Sequence, residues 1–385
     1  MSSTSASRRV AVTGSGTAGH ILTALEILAA YRREFGSSGI FIGSEAGFES
    51  RLTAESGERL ELIHALPWAR QSWWGRMRAL FAFAGSFFAA RRIFRREGTE
   101  IVIGTGGYAS VAPCLAGWAL GLPVAIHEAN AVPGLANEIL SRLVNLICVD
   151  SEETAQCFRS GRSQVVVTGT PCLSLPRTPM NKPGDPEPAQ SCPVPPFRFI
   201  VLGGSEGSPF LNQRVPAVFA ELRRRSLDFS VLHLTGMASP DATRATYEIL
   251  GVPARVEGWV TDMGPVYSGA TMAIACPGAR TLAELAAAGI PSLLTPLPGV
   301  AHGHHAANAR AHVGQPSRQT GARFVDEAEW DTLKLATWIE SVLKAPDALR
   351  EMQEGMRGFA RSGAAEAIVR AAENLVAQPS QSRSR

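Results

Sequence analysis

His20 ends a glycine-rich turn, Gly14-Ser15-Gly16-Thr17-Ala18-Gly19-His20, that follows the apolar run Val10–Val12. An imidazole at a helix start can donate to an oxyanion or take a proton from a substrate hydroxyl. The glycines permit a tight turn and close approach to a charged ligand, at which helix-start amides would point. Many α/β folds use such a turn only to turn. A second turn, Gly203-Gly204-Ser205-Glu206-Gly207-Ser208, follows Phe199–Leu202. Two more polar loops follow apolar runs: Gly104-Thr105-Gly106-Gly107-Tyr108-Ala109-Ser110 after Ile101–Ile103, and His127-Glu128-Ala129-Asn130 after Val124–Ile126. Loops beyond the carboxyl ends of parallel strands line a binding crevice, so both are expected to converge with His20. The alternative is that Glu128 and Asn130 only cap the next helix. In the second half, Thr281–Pro291 reads as a helix stopped by Gly289 and approached through Cys276-Pro277-Gly278-Ala279. Glu284 then falls in its first turn, where a carboxylate either chelates two vicinal ribose hydroxyls or merely stabilises the helix.

These loops need strands to hold them. Short runs apolar on both faces recur at Val10–Val12, Gly39–Ile42, Ile101–Ile103, Val124–Ile126, Leu146–Val149 and Val165–Val167, separated by helical patterns. They recur again at Phe199–Leu202, Phe229–Leu234, Ala254–Val256, Met272–Ala275 and Ser292–Leu294. That rhythm predicts parallel sheets covered on each side, in two Rossmann-like, doubly wound α/β domains facing a cleft. The expected division is 1–175, a proline-rich linker at 176–196, and 197–357, with a helix at about 358–377 packing back on the first domain.

The 385 residues exceed what one hydrophobic core usually supports. Apolar content of 45% with 18% charged residues reads as globular, and a net charge of +3 gives no case for nucleic-acid binding. The six cysteines form no C-x-x-C pair, so reduced thiols are expected rather than a zinc cluster or a disulfide framework. No apolar signal region precedes the first strand.

In this order the motifs resemble those of the bacterial peptidoglycan glycosyltransferases of the MurG type, glycosyltransferase family 28. The family's G-G-T-G-G-H turn is similar to Ser15–His20, its G-G-Y-x-S to Gly106–Ser110 and its H-E-Q-N to His127–Asn130. Its G-N-P is similar to Gly169-Thr170-Pro171, its G-G-S-Q-G to Gly203–Gly207, and its T-x-S-E-x-x-A-x-G-x-P to Thr281–Pro291. The resemblance spans about residues 8–375. It implies an inverting GT-B transferase without metal or other cofactor, moving N-acetylglucosamine from UDP-N-acetylglucosamine to a polyprenyl-diphosphate-linked muramyl-peptide. By position, His20 is the implied base; Thr17, Ala18 and Gly19 approach the donor phosphates, and Asn130 the donor sugar. Ser205, at a helix start, would bond the pyrophosphate and Val260 the uracil. Ala279, Arg280, Thr281, Leu282, Ala283 and Glu284 would hold the rest of the nucleotide, with Glu284 on the ribose. Gly106, Gly107, Tyr108, Ser110, His127 and Glu128 become acceptor-side candidates. Two departures stand out. Leu173 replaces the family's arginine, for which Arg177 and Arg280 are possible substitutes, and His304-His305 replace its paired glutamines. Another UDP-sugar or lipid acceptor, or a catalytically impaired UDP-sugar-binding descendant, therefore stay open as alternatives. With His302, the histidine pair also admits a metal-site reading that no neighbouring carboxylate or cysteine supports.

From Trp73 to Arg96 the chain reads as one amphipathic helix. Met77, Leu80, Phe81, Phe83, Phe87, Phe88 and Phe94 cover an arc of roughly 160°, wider than a core stripe of about 100°. Arg76, Arg78, Arg91, Arg92, Arg95 and Arg96 surround them. Such a helix suits an anionic membrane surface, too short and too closely flanked by arginine to span it. Leu80, Phe83, Phe87 and Trp118 are the expected contact patch; the competing reading is a core helix with a solvated basic rim. The resemblance places the chain at the cytoplasmic face of the inner membrane, held peripherally.

Overall fold

The computed structural model describes residues 8–45, 49–66, 73–159, 161, 163–172, 196–298, 303–313 and 321–377. The chain divides into two units, Met1–Cys172 with Arg361–Arg385, and Leu173–Ala360. The linker expected at 176–196 lies outside the described residues except for Pro196.

In the first unit, the strands are β1 Arg9–Thr13, β2 Ser38–Ser44, β3 Arg59–Ile63, β4 Ile101–Gly104, β5 Val124–Glu128, β6 Leu146–Val149 and β7 Gln164–Val167. All pairings are parallel, in the order β3-β2-β1-β4-β5-β6-β7. The helices are α1 Ala18–Phe35, α2 Glu49–Ser56, α3 Trp73–Glu97, α4 Val111–Ala119, α5 Leu135–Leu140 and α6 Glu152–Gln156. One face of the sheet, with Ala11, Val102, Ile126 and Ile147, packs on Ile93 and Phe94 of α3 and Ala116 of α4. Burial from both sides is what makes these strands read as unbroken apolar runs.

The second unit holds β8 Phe197–Leu202, β9 Phe229–Leu234, β10 Ala254–Glu257, β11 Met272–Ala275, β12 Ser292–Leu294 and β13 Ala322–Phe324, parallel in the order β10-β9-β8-β11-β12-β13. Its helices are α7 Pro209–Arg224, α8 Asp241–Ile249, α9 Gly264–Tyr267, α10 Ala279–Ala288, α11 His304–Val313, α12 Thr332–Leu343 and α13 Pro346–Arg357. Alternate residues of β8 serve opposite cores: Phe199 and Val201 meet α7 and α12, while Ile200 and Leu202 meet Leu282, Leu285 and Ala286 of α10. The last helix, α14 Ala364–Ala377, belongs to the first unit, where it packs on α1.

Each sheet reverses its order beside its first strand, between β1 and β4 and between β8 and β11. A crevice opens beyond the carboxyl ends of strands at such a switch point. The loops after β1 and β4 carry His20 and Gly104–Ser110, and those after β8 and β11 carry Gly203–Ser208 and the start of α10. β3 and β13, absent from the sequence reading, are the outer strands of their sheets on one side.

Candidate active-site elements of each unit

In the first unit, α1 starts at Ala18 with Thr17 as its cap, whose hydroxyl accepts the His20 amide at 3.5 Å. The imidazole Nδ1 lies 2.9 Å from the Ser15 carbonyl oxygen. A carbonyl only accepts, so Nδ1 carries the proton and the neutral ring keeps its lone pair on Nε2. Gly106 stands beside that nitrogen, with φ +102° and an ideal Cβ position 3.1 Å from Nε2. The two loops lock together: Ser15 N–H donates to Gly106 O at 3.2 Å, Thr105 Oγ1 to His20 O at 2.8 Å, and Ala109 N–H to Ser15 Oγ at 2.9 Å. Thr17 and Gly19 are half-buried, whereas the Ala18 side chain is buried.

Tyr108 is half-buried and donates to Ser44 Oγ at 3.2 Å. Ser110 is buried and donates to Gly107 O at 2.8 Å, which ties the turn rather than facing a ligand. Glu128 is buried too, and both its oxygens are engaged. Oε1 accepts Asn130 N–H and Nδ2, and Oε2 accepts Gly134 N–H and Asn137 Nδ2, all at 2.9 Å. Four donors fill the carboxyl group, so Glu128 organises the 129–137 loop and orients half-buried Asn130. His127 is buried and donates from Nε2 to Gly169 O at 3.0 Å; desolvation lowers its pKa and keeps the ring neutral. Ser110, His127 and Glu128, acceptor-side candidates from the sequence, are thus all buried, each held by backbone or loop partners.

In the second unit, the turn after β8 differs from expectation. α7 starts at Pro209 with Ser208 as cap, accepting Leu211 N–H at 3.1 Å, so Ser205 stands half-buried within the glycine turn and not at a helix start. Beneath the turn, buried His233 lies 3.0 Å from both Tyr247 OH and Asn212 Oδ1. Asn212 Nδ2 donates to Thr235 O at 3.4 Å, and that carbonyl is the atom that a side chain on Gly207 would strike.

α10 starts at Ala279, two residues before the sequence reading, with Gly278 as its cap and no side-chain cap bond. This start suits an anion. It also moves Glu284 into the second turn, where dipole stabilisation has faded. Its carboxylate is instead held by Tyr267 OH at 2.7 Å and by buried Arg280 at 2.8 Å. Ala279, Thr281 and Ala283 are half-buried, while the Leu282 side chain enters the core. Val260 is half-buried and packs against the core cluster that contains Ile200, Leu202 and Leu282. His304 and His305 open α11, and His305 Nδ1 accepts Leu297 N–H at 3.4 Å. Burial, helped by neighbouring His304, pushes the His305 pKa down to about 4, leaving a neutral ring with Nε2–H as a donor. Leu173, Arg177 and His302 lie outside the described residues.

Up to Ala90, α3 turns small residues inward and large ones outward. Ala79, Ala82, Ser86, Ala90, Ile93 and Phe94 are buried; Trp73, Trp74, Leu80, Phe81 and Phe88 are exposed, as is Trp118 on α4. Phe83 and Phe87 are half-buried, and Phe87 packs on the core. No helix among the described residues is long and apolar enough to cross a membrane.

The two units match family models described as the glycosyltransferase family 28 N-terminal domain, over residues 10–149, and C-terminal domain, over residues 199–370. A UDP-N-acetylglucosamine–N-acetylmuramyl-(pentapeptide) pyrophosphoryl-undecaprenol N-acetylglucosamine transferase of Sorangium cellulosum is 35% identical, over 92% of this chain and 85% of that protein. The protein of the same name in Myxococcus xanthus is 30% identical, over 96% and 94%. The crystal structure of Acinetobacter baumannii MurG superposes with a TM-score of 0.71 at 26% identity, over 95% of this chain and 99% of that one. On these matches the chain belongs to glycosyltransferase family 28, among its MurG-type members.

Proposed function

We propose that the chain transfers N-acetylglucosamine from UDP-N-acetylglucosamine to a polyprenyl-diphosphate-linked muramyl-peptide, with His20 as the base for the acceptor hydroxyl. The observation that carries the role of His20 is its tautomer: the Ser15 carbonyl holds Nδ1–H and leaves Nε2 as the acceptor beside Gly106. In the transfer, Nε2 takes the hydroxyl proton, the oxygen bonds to the anomeric carbon, and the bond from that carbon to the diphosphate breaks with inversion. Charge then builds on the β-phosphate. The uncapped start of α10 and the Gly203–Gly207 turn supply fixed backbone dipoles for it, which act without reorganising. Glu284, oriented by Tyr267 and Arg280, takes the ribose hydroxyls, and His305 offers an Nε2–H donor to the sugar.

The exposed aromatic face of α3, with Trp118 and the flanking arginines, supports peripheral contact with an anionic membrane at the cytoplasmic face, where the lipid-linked acceptor is embedded. The test is turnover by the purified protein with lipid acceptor and a panel of UDP-sugars. Turnover with UDP-N-acetylglucosamine is expected, and His20→Ala should lower it by about 10²–10⁴-fold while donor affinity stays within about twofold. Activity confined to another UDP-sugar would defeat the donor assignment; equal loss of binding and turnover would reduce His20 to a shaper of the turn.

A further inference from the structure

His233 on β9 is fully buried, yet the transfer chemistry gives it no task. Both ring nitrogens are engaged: Nδ1 lies 3.0 Å from Tyr247 OH on α8, and Nε2 lies 3.0 Å from Asn212 Oδ1 in the first turn of α7. One atom that can only accept sets the order of this chain. The Thr235 carbonyl accepts Asn212 Nδ2–H at 3.4 Å, which turns Asn212 Oδ1 toward the imidazole. Nε2 must then carry the proton, and Nδ1 accepts from Tyr247 OH. Desolvation, which pushes the His233 pKa down to about 3, keeps the ring neutral as this pattern requires.

The same carbonyl packs on the glycine turn after β8. A Cβ on Gly207 would strike Thr235 O, and one on Gly236 would strike the Gly207 amide and stand 2.8 Å from Gly204 O. The two backbones meet here because neither carries a side chain at the contact, and Gly204 and Gly207, at φ +80° and +82°, adopt conformations that favour glycine. Within the turn, Gly207 N–H donates to Gly204 O at 3.2 Å, while the N–H groups of Ser205 and Glu206 complete no hydrogen bond among the described residues. Asn212 reaches both sides of the contact. Its backbone N–H donates to Ser208 O at 2.9 Å, where the turn ends, and its side chain donates to Thr235 O behind the turn. We infer that Asn212 and His233 are positioning residues for the Gly203–Gly207 turn: the Nε2–H tautomer of His233 fixes the Asn212 amide, which holds Thr235 and Gly236 against Gly207 and so keeps the Ser205 and Glu206 amides aimed at the leaving diphosphate. The inference rests on the reading of that turn as a source of fixed dipoles for the diphosphate.

The test is calorimetric titration of the full chain at pH 7.5 with UDP and, separately, with uridine, alongside transfer kinetics. In the wild type, UDP should bind about tenfold or more tighter than uridine, because charge-assisted bonds to the turn belong to the phosphates. Asn212→Leu, which nearly keeps the volume and removes both side-chain bonds, should lower UDP affinity about 3–10-fold and kcat about tenfold while uridine affinity stays within about twofold. His233→Gln keeps a donor for Asn212 and should show a smaller loss of the same kind, about 2–3-fold in UDP affinity; it decides the matter should Asn212→Leu fail to fold. UDP affinity and kcat unchanged in the variants, or UDP and uridine affinities falling together, would overturn the inference and leave the network as core structure only. If wild-type protein still prefers UDP in that case, the turn survives as the diphosphate site on its own. A wild type that binds uridine as tightly as UDP defeats the diphosphate reading, and the inference with it.

Discussion

Nothing larger than hydrogen fits comfortably at Gly106, and that is what leaves His20 Nε2 open, as its proposed role as base requires. With φ +102°, a side chain there is strained by about 1–2 kcal/mol, and its Cβ would sit 3.1 Å from Nε2. Gly106→Ala is therefore expected to lower kcat about tenfold or more with UDP-N-acetylglucosamine affinity unchanged, measured by transfer kinetics beside donor titration. Tyr267→Phe belongs to the other unit. It removes the hydroxyl from buried Glu284, costs about 1–3 kcal/mol for the oxygen left without that donor, and leaves Arg280 alone to hold the group toward its proposed ribose partner. Donor KM should rise about 3–10-fold with little change in kcat; a changed kcat with constant KM would count against Glu284 on the ribose. The position of His20 at the end of a glycine turn was legible from the chain, and its partners, the Ser15 carbonyl and Gly106, lie in that turn and in the loop after β4. The anchoring of Glu128 and Glu284 was not, because their partners Asn137 and Tyr267 lie 9 and 17 residues away in no motif.

At the scale of one element, α3 shows how far periodicity reaches. Its apolar arc was legible, but not which part faces in. Close packing on α4 decides that, because the alanines at 79, 82 and 90 and Ser86 let the helix approach where phenylalanines would hold it off. Phe87, a patch candidate from the sequence, is partly committed to the core, so the contact face is better tested at Phe81 and Phe88. Phe81→Ser with Phe88→Ser should release the protein from anionic vesicles in co-sedimentation without lowering its melting temperature; unchanged partitioning would remove α3 as the docking face. Ala90→Leu should do the opposite, destabilising by about 1–3 kcal/mol through overpacking while leaving vesicle binding intact. The strands that escaped the sequence reading fit the same logic. β3 is an outer strand whose buried residue is Ile63 while Arg59 and Leu62 are exposed, and β13 has three residues. Neither is covered enough to need the continuous apolar run that marks β1, β4 and β11.

Across the whole chain, both units bury histidines that must stay neutral. His233 in the second unit is held at a pKa of about 3 by desolvation, His305 at about 4, and His127 in the first unit is lowered by the same cause. In the unfolded chain each returns to about 6.5. Between about 6.5 and the folded value, the unfolded state binds the extra proton, so stability rises with pH across that window. The contribution is complete above about 6.5 and is lost as pH falls, at up to about 1.4 kcal/mol per pH unit for His233. α14 is docked on the first unit by ion pairs instead, Arg8–Glu373 at 2.7 Å and Arg33–Glu366 at 2.6 Å. Acid should thus loosen the histidine-bearing cores. Denaturant unfolding at pH 7.5, 6.0 and 5.0 should show stability falling over that range. His233→Gln should begin less stable at pH 7.5, having lost its fit between Asn212 and Tyr247, but decline less steeply; equal slopes for the variant and the wild type would mean that His233 does not govern the acid limb.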